Sequence, residues 1–210
     1  MIISSRRKFI FVHIPKTAGS SVSTALRKWD SRFGWKRSNH QHDTLPEFLA
    51  LNCKKMARVH PDGSRSFLDQ YFKFAFVRNP WERFVSFFFY LKNHHGRQIP
   101  ELGSIVEVMD LLKALERRAP WLVKLHGIRP QSDFLYGADQ RLLVDFVGRF
   151  ERLEEDFRTV AARIGIAGSL PHRNASEHDS YARYYDIWGK EFIADYYKND
   201  ISSLGYTFSP

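Results

Sequence analysis

The amino-acid sequence predicts an α/β domain whose central sheet is mainly parallel and is flanked by helices. Short runs of β-branched and aromatic residues recur along the chain, and segments with helical periodicity lie between them. No internal repeat or Pro/Gly/Ser-rich linker divides the 210 residues, which predicts a single domain over 1–210. Hydrophobic residues make up 43% of the chain and aromatic residues 15%, enough for a sizeable core.

The first half of the chain contains two predicted buried strands, at residues 9–14 and 72–77. Pro15 interrupts the apolar run of the first strand, and the sequence from 20 to 29 then predicts a helix. A polar stretch follows, and 45–53 predicts a short helix.

The helix after the second strand has a distinct start signal. Asn79 is the predicted N-cap, Pro80 occupies the first helical position, and Glu82 occupies the third. These residues predict a capping box and a helix that continues to about Lys92.

The second half continues the alternation of helices and strands, which favours a mainly parallel sheet. Helices are predicted over 105–118, 131–135, 153–164 and 189–200, and strands over 143–147 and 206–208.

The charge and cysteine content limit the partners and the compartment. A net charge of +9 favours anionic partners, such as nucleotides, acidic polysaccharides, nucleic acid or a membrane surface. Cys53 is the single cysteine, so an intrachain disulfide and a Cys-based zinc cluster are excluded. No segment approaches membrane-spanning length, and we expect a cytoplasmic enzyme without a membrane span.

The turn between the first strand and the first helix is the first candidate site. Small residues there let backbone N–H groups face a phosphate, and the helix N-terminus adds its positive dipole end. Lys16 precedes the glycine, which differs from a Walker A motif, and an ordinary turn with a surface lysine stays open as an alternative. The predicted phosphate-binding residues are Pro15, Lys16, Thr17, Ala18, Gly19, Ser20 and Ser21.

The second candidate site follows the second strand. Arg78 stands at the carboxyl end of that strand, where open α/β sheets bind ligands, and Ser86 lies two turns into the next helix. An arginine with a nearby hydroxyl suits a phosphate held by charge-assisted bonds. The alternative for Arg78 is a surface ion pair. The aromatic residues over 81–89 have helical spacing and are predicted to belong to the core.

These two segments resemble those of the carbohydrate sulfotransferases. Residues 11–21 are similar to their 5′-phosphosulfate-binding segment, and residues 76–86 are similar to their 3′-phosphate-binding segment. Further similar stretches occur at 146–151, 170–174 and 200–208. The resemblance is to the branch with the heparan 2-O-, chondroitin, dermatan and HNK-1 sulfotransferases, as a soluble member of bacterial type.

The resemblance implies a P-loop-like three-layer fold, 3′-phosphoadenosine 5′-phosphosulfate (PAPS) as co-substrate, and no metal. It implies that residues 15–21 hold the 5′-phosphosulfate and that Arg78 and Ser86 hold the 3′-phosphate. Arg173, in the stretch 170–174, is expected to be a further phosphate contact. We expect the chain to differ from the Golgi members in having no membrane anchor and no cysteine pairs.

Sulfuryl transfer to a hydroxyl requires a base, and histidine, with an ordinary pKa of about 6.5, suits that task. Residues 39–45 resemble the His-x-His segment of the heparan 2-O-sulfotransferases, which implies roles for His40 and His42. We expect His42 to be the base, with His172 as the next candidate. A metal pair completed by Asp43, or exposed loop histidines, stay open as alternatives.

The expected acceptor is a hydroxyl of a carbohydrate or of another molecule, neutral or anionic. The region 93–130 is predicted to shape its site. A P-loop small-molecule kinase and a non-catalytic polyanion-binding protein stay open as alternatives. Against the kinase, the second strand ends in an arginine and not in the carboxylate that a magnesium-dependent kinase needs. No nucleic-acid partner is expected. The basic residues available to an anionic acceptor are Arg97, Arg117, Arg118, Lys124 and Arg129.

Overall fold

The computed structural model describes residues 1–29, 43–50, 69–96, 98–167, 170 and 179–209. These residues form two compact units. The sheet unit comprises Met1–Val77 and Asp133–Arg173, and the helical unit comprises Arg78–Ser132 and Asn174–Pro210. That the whole chain acts as one domain stays a prediction.

The described strands of the sheet unit form one four-stranded sheet in the order β1-β2-β3-β4. Strand β1 runs antiparallel to β2, whereas β2, β3 and β4 are parallel. The predicted mixed α/β fold with a mainly parallel sheet flanked by helices is therefore confirmed. The strands are β1 (Ile2–Ser4), β2 (Phe9–Val12), β3 (Phe72–Val77) and β4 (Phe146–Arg149).

The described α-helices, in chain order, are α1 (Gly19–Trp29), α2 (45–50), α3 (Pro80–His95), α4 (Val108–Glu116), α5 (Pro120–Val123), α6 (Ser132–Leu135), α7 (Leu153–Ile164), α8 (Ile187–Tyr196) and α9 (Lys198–Leu204). Short 3₁₀ helices occur at Pro100–Ser104, His126–Ile128, Phe150–Arg152 and Tyr181–Tyr184.

Phenylalanines build one face of the sheet. Because side chains alternate along a strand, Phe9 and Phe11 of β2 share a face with Phe74 and Phe76 of β3. The rings of Phe11 and Phe74 stack with centroids 5.3 Å apart. Apolar residues of α1 and α7 complete this core, namely Val22, Ala25, Leu26, Phe157, Val160, Ala161 and Ile164. The carboxyl ends of β2 and β3 therefore lie in a packed, rigid sheet.

Two helix starts follow the capping rules. The Asn79 side chain accepts a hydrogen bond from the Trp81 N–H (3.1 Å), and α3 begins at Pro80 as predicted and ends at His95, past the predicted Lys92. At α2, the Thr44 hydroxyl oxygen accepts from the Glu47 N–H (3.1 Å), and the Glu47 carboxylate accepts from the Thr44 N–H (2.9 Å).

The helical unit has its own core between α3, α4 and α8. The predicted core role of the aromatic residues in 81–89 is confirmed for most of them, since Trp81, Phe84, Phe87 and Phe88 are buried and Phe89 is partly buried against the same core. Their partners on α4 and α8 include Leu111, Leu112, Leu115 and Ile193.

Three strand predictions differ from the structure. The strand predicted over 9–14 ends at Val12, and β1 was not among the predicted strands. The strand predicted over 143–147 lies at Phe146–Arg149, because Asp145 forms two hydrogen bonds with Lys73 instead. The Asp145 N–H donates to the Lys73 carbonyl, and the Asp145 carboxylate accepts from the Lys73 N–H, each at 2.7 Å. The strand predicted over 206–208 is absent, and the Phe208 ring packs edge-on against Trp81 with centroids 5.5 Å apart.

Two helix predictions need new boundaries. The helix predicted over 105–118 begins at Val108, because the Asp110 carboxylate accepts the N–H groups of Val106 and Glu107, each at 3.0 Å, and so caps the helix there. The helix predicted over 189–200 is divided into α8 and α9, with Tyr197 between them. The helix predicted over 153–164 is confirmed at both ends.

Candidate active site

The loop between β2 and α1 has an unusual backbone. Lys16 (φ 68°) and Ala18 (φ 61°) are both left-handed, although neither is a glycine. Such residues cost roughly 1–3 kcal/mol each and persist where the surroundings determine them, often at functional sites. Turns that mix left- and right-handed residues point successive N–H groups inward, a geometry that binds anions. The two left-handed residues give residues 15–21 a backbone feature that such turns share.

Buried polar contacts hold this loop in shape. Thr17 is fully buried, and its hydroxyl donates to the Ile14 carbonyl (3.0 Å). The Val22 N–H donates to the Ala18 carbonyl (3.1 Å), which joins the loop to the first turn of α1. Pro15 and Ser21 are buried, Lys16 and Ala18 are half-buried, and Ser20 is exposed. The structure thus brings the predicted residues 15–21 together in one compact turn.

Gly19 is required at the start of α1 by the ring of His13. A Cβ atom at residue 19 would lie 1.9 Å from Cδ2 and Nε2 of His13, far inside contact distance. His13 is 4% exposed, and its ring stacks on Phe11 with centroids 5.8 Å apart, so a shift of the ring would disturb this packing. Sequence reasoning missed His13; its signal was a histidine just ahead of the Pro-Lys turn.

In the helical unit, Arg78 immediately follows β3 and is 5% exposed. Its Nη2 donates to Oε1 of Glu82 (2.8 Å), one turn along α3. Glu82 was predicted as the third residue of a capping box, and the structure shows its carboxylate in an ion pair with Arg78. Ser86, the other predicted phosphate contact, lies two turns into α3 and is 4% exposed.

The main chain of Arg78 is held by a side chain that sequence reasoning did not select. Oε1 of Gln131 accepts from the Arg78 N–H (2.9 Å), and Nε2 of Gln131 donates to the Arg78 carbonyl (2.8 Å). The Asp200 carboxylate accepts the N–H groups of Gln131 (2.7 Å) and Ser132 (2.8 Å). Gln131 and Asp200 have no exposed surface.

A second buried arginine stabilises the same unit. Arg83 is 1% exposed, donates to the Arg129 carbonyl (2.6 Å), and lies 5.3 Å from the ring centroid of Tyr197. Burial raises the pKa of the Tyr197 hydroxyl, which donates to the Ile128 carbonyl (2.8 Å). Arg129, predicted as an acceptor contact, therefore also has a structural role through its main chain.

Several predicted residues cannot be compared with the structure. His40, His42, His172, Arg173 and Arg97 lie outside the described residues. The described chain resumes at Asp43, which is 7% exposed. Of the other basic residues predicted for the acceptor, Arg117, Arg118 and Lys124 are exposed.

Two searches concern metals and membranes. Within the described residues, no cluster of three or more His, Cys, Asp and Glu side chains could hold a metal ion. In the same part of the chain, every helix is too short or too polar to cross a membrane.

Comparison with known proteins identifies the family. The sulfotransferase family model matches residues 1–207, and the chain therefore belongs to the sulfotransferase family. Carbohydrate sulfotransferase 14 is 26% identical over 190 residues in Mus musculus and over 187 residues in Homo sapiens. Each match covers 76% of this chain but 45% of the relative, so the chain spans less than half of their length.

A third relative covers less of this chain. An uncharacterized protein of Archaeoglobus fulgidus is 28% identical over 120 residues, which are 57% of this chain and 89% of that protein. No solved structure matches the chain. The predicted family is thus confirmed.

Proposed function

We propose that this protein transfers the sulfuryl group of PAPS to a hydroxyl group of a carbohydrate. The left-handed loop at residues 15–21, in a member of the sulfotransferase family, is the observation that supports this most directly. PAPS carries a phosphosulfate at one end of its ribose and a 3′-phosphate at the other. The two candidate segments suit these two anions in different ways.

The loop at 15–21 is assigned to the phosphosulfate. Its backbone N–H groups and the N-terminus of α1 are proposed to stabilise the negative charge of this group without a metal ion. Lys16 adds a full positive charge at the oxygen between phosphorus and sulfur. When the acceptor oxygen attacks sulfur, the bond from sulfur to that bridging oxygen breaks and its electrons stay on the leaving phosphate. Lys16 stabilises the charge that develops there.

Arg78 and Ser86 are assigned to the 3′-phosphate. A guanidinium carries five N–H donors in a planar fork, and it suits the tetrahedral oxygens of a phosphate. Both side chains belong to the helical unit and both are at least nine-tenths buried, which strengthens charge-assisted bonds because little water competes. Arg173 is proposed as a further phosphate contact.

His42 is assigned as the general base, with His40 supporting it. The base takes the proton of the acceptor hydroxyl as the oxygen attacks sulfur, so adenosine 3′,5′-bisphosphate leaves with its negative charge and the proton stays on imidazole. Should His42 not be the base, His172 is the next candidate.

A carbohydrate is the proposed acceptor because two relatives bear the name carbohydrate sulfotransferase 14. The net charge of +9 favours an acceptor that carries negative charge. Arg117, Arg118 and Lys124 are exposed and are proposed to contact it.

Transfer of labelled sulfate from PAPS across a panel of glycans, lipids and phenols tests this function. We expect transfer to a glycan, at a rate that excess EDTA does not lower. Transfer of phosphate from ATP that requires magnesium, with no transfer from PAPS, would establish the kinase alternative. Tight, strongly salt-dependent binding of polyanions without nucleotide binding would establish the non-catalytic alternative.

A further inference from the structure

A chain of buried hydrogen bonds in the helical unit ends on the main chain of Arg78. It begins at Asp200, in the first turn of α9, whose two carboxylate oxygens accept from the N–H groups of Gln131 (2.7 Å) and Ser132 (2.8 Å). Asp200 has no exposed surface, so its charge depends on these bonds for stabilisation. The carboxylate thereby determines where Gln131 stands.

Gln131 in turn holds the main chain of Arg78. Its amide accepts from the Arg78 N–H (2.9 Å) and donates to the Arg78 carbonyl (2.8 Å), as a neighbouring strand would. Both main-chain groups of one residue are thus satisfied by one fully buried side chain. This determines the direction in which the Cα–Cβ bond of Arg78 points.

The side chain of Arg78 has a second anchor. Nη2 donates to Glu82 (2.8 Å), so the residue is held at its main chain by Gln131 and at its guanidinium by α3. A buried polar group destabilises a fold when its hydrogen-bond partner is lost. A pair of apolar side chains can pack equally well and has no hydrogen bond to lose. What a directional network adds is a precise orientation.

We propose that Gln131 and Asp200 are positioning residues that aim Arg78 at the 3′-phosphate of the nucleotide. The inference rests on the proposed function of Arg78. Charge-assisted hydrogen bonds weaken steeply when the donor angle or distance changes, so a small rotation of Arg78 lowers affinity for that phosphate alone. The rest of the nucleotide is unaffected.

The test is a pair of affinities measured by calorimetry, for adenosine 3′,5′-bisphosphate and for AMP, which lacks the 3′-phosphate. Their ratio isolates the contribution of that phosphate. We compare the wild type with Gln131→Met, Asp200→Asn and Arg78→Ala. Gln131→Met keeps the side-chain size and removes both bonds to Arg78. Asp200→Asn keeps the shape of the carboxylate but faces one of the two N–H groups with an NH₂ group.

The matched control is Tyr185→Phe. It removes a hydrogen bond of the same kind in the same unit, from the Tyr185 hydroxyl to the Trp81 carbonyl (2.7 Å), close in sequence to Arg78 but not on it. Thermal unfolding of each variant shows that it is folded at the temperature of the measurement. Should Asp200→Asn not fold, Gln131→Met carries the test, because it leaves both Asp200 bonds to main-chain N–H groups in place.

We expect the affinity ratio to fall about tenfold in Gln131→Met and Asp200→Asn, close to its value in Arg78→Ala, and to stay at the wild-type value in Tyr185→Phe. Equal ratios in wild type and Arg78→Ala would overturn the proposed role of Arg78, and the positioning role with it. A reduced ratio in Arg78→Ala alone would overturn only the positioning role. So would an equal loss of affinity for both nucleotides in the Gln131 and Asp200 variants, since a general structural defect acts on both.

Discussion

The segment after β2 and the segment after β3 present positive charge in different ways. In the first, the backbone is proposed to bind the anion: Lys16 and Ala18 are left-handed, and the ring of His13 occupies the space where residue 19 would have a side chain. In the second, the backbone of Arg78 is ordinary and a guanidinium carries the charge, held by Gln131 and Glu82. The first segment is therefore sensitive to added atoms, and the second to lost polar partners.

The largest expected effect is that of Lys16→Ala. Turnover should fall roughly 10²–10³-fold, the usual loss when one donor to a developing charge is removed, and PAPS should bind more weakly as well. Lys8→Ala is the matched control, because Lys8 is also left-handed (φ 52°) but lies in the turn between β1 and β2. Single-turnover kinetics give both quantities. Wild-type turnover in Lys16→Ala would show that the charge of Lys16 does not contribute to the transfer step.

The variant His42→Ala tests proton transfer independently of anion binding at the two segments. Turnover should fall about 10²-fold, as for loss of a general base, while the affinity for adenosine 3′,5′-bisphosphate stays near the wild-type value. His40→Ala should lower turnover partly through weaker acceptor binding. His94→Ala, an exposed histidine at the end of α3, is the control. Near wild-type turnover in His42→Ala would show that another residue is the base, and His172 would be the next candidate.

Gly19→Ala tests the steric side of the comparison. The added methyl group would meet His13, and we expect the free energy of unfolding to fall by about 1–3 kcal/mol, as in other overpacked sites. Gly103→Ala, where the same atom meets nothing within 4 Å, should change it by less than about 0.5 kcal/mol.

Urea denaturation measures all four proteins of the Gly19 cycle: wild type, Gly19→Ala, His13→Ala and the double variant. If His13 is the obstacle, Gly19→Ala costs less when residue 13 is already alanine. An unchanged cost in that background would show that another contact requires glycine.

Arg78→Lys has the smallest expected effect and tests the second segment. Lysine keeps the charge but loses the planar fork, so the affinity for adenosine 3′,5′-bisphosphate should fall several-fold, up to about tenfold, with that for AMP unchanged. Arg152→Lys is the same substitution at an exposed arginine, whose ion pair with the buried Asp156 spans 3.7 Å, and it should have no effect. An unchanged affinity of Arg78→Lys for adenosine 3′,5′-bisphosphate would mean that a positive charge at residue 78 is enough to bind the 3′-phosphate, without the orientation of the guanidinium.

Local patterns predicted some elements correctly and failed at others for physical reasons. The capping signal at Asn79 and Pro80 and the helix over 153–164 depend on neighbours in sequence, and the structure confirms both. The strand predicted over 143–147 begins three residues later and ends two residues later, because the bonds between Asp145 and Lys73 join residues distant in sequence. The strand predicted over 206–208 failed because Phe208 is used for ring packing.

Sequence by itself determined the family and the α/β fold, and it located the two segments proposed to bind phosphate, since the residues of each are contiguous in the chain. Only the tertiary structure decided the left-handed turn at Lys16 and Ala18, the contact of His13 with Gly19, and the bonds from Asp200 through Gln131 to Arg78. A backbone angle in a tight loop follows from how the loop is closed, and a hydrogen bond between residues 78 and 131 exists only once the fold has brought them together. No local pattern carries that information.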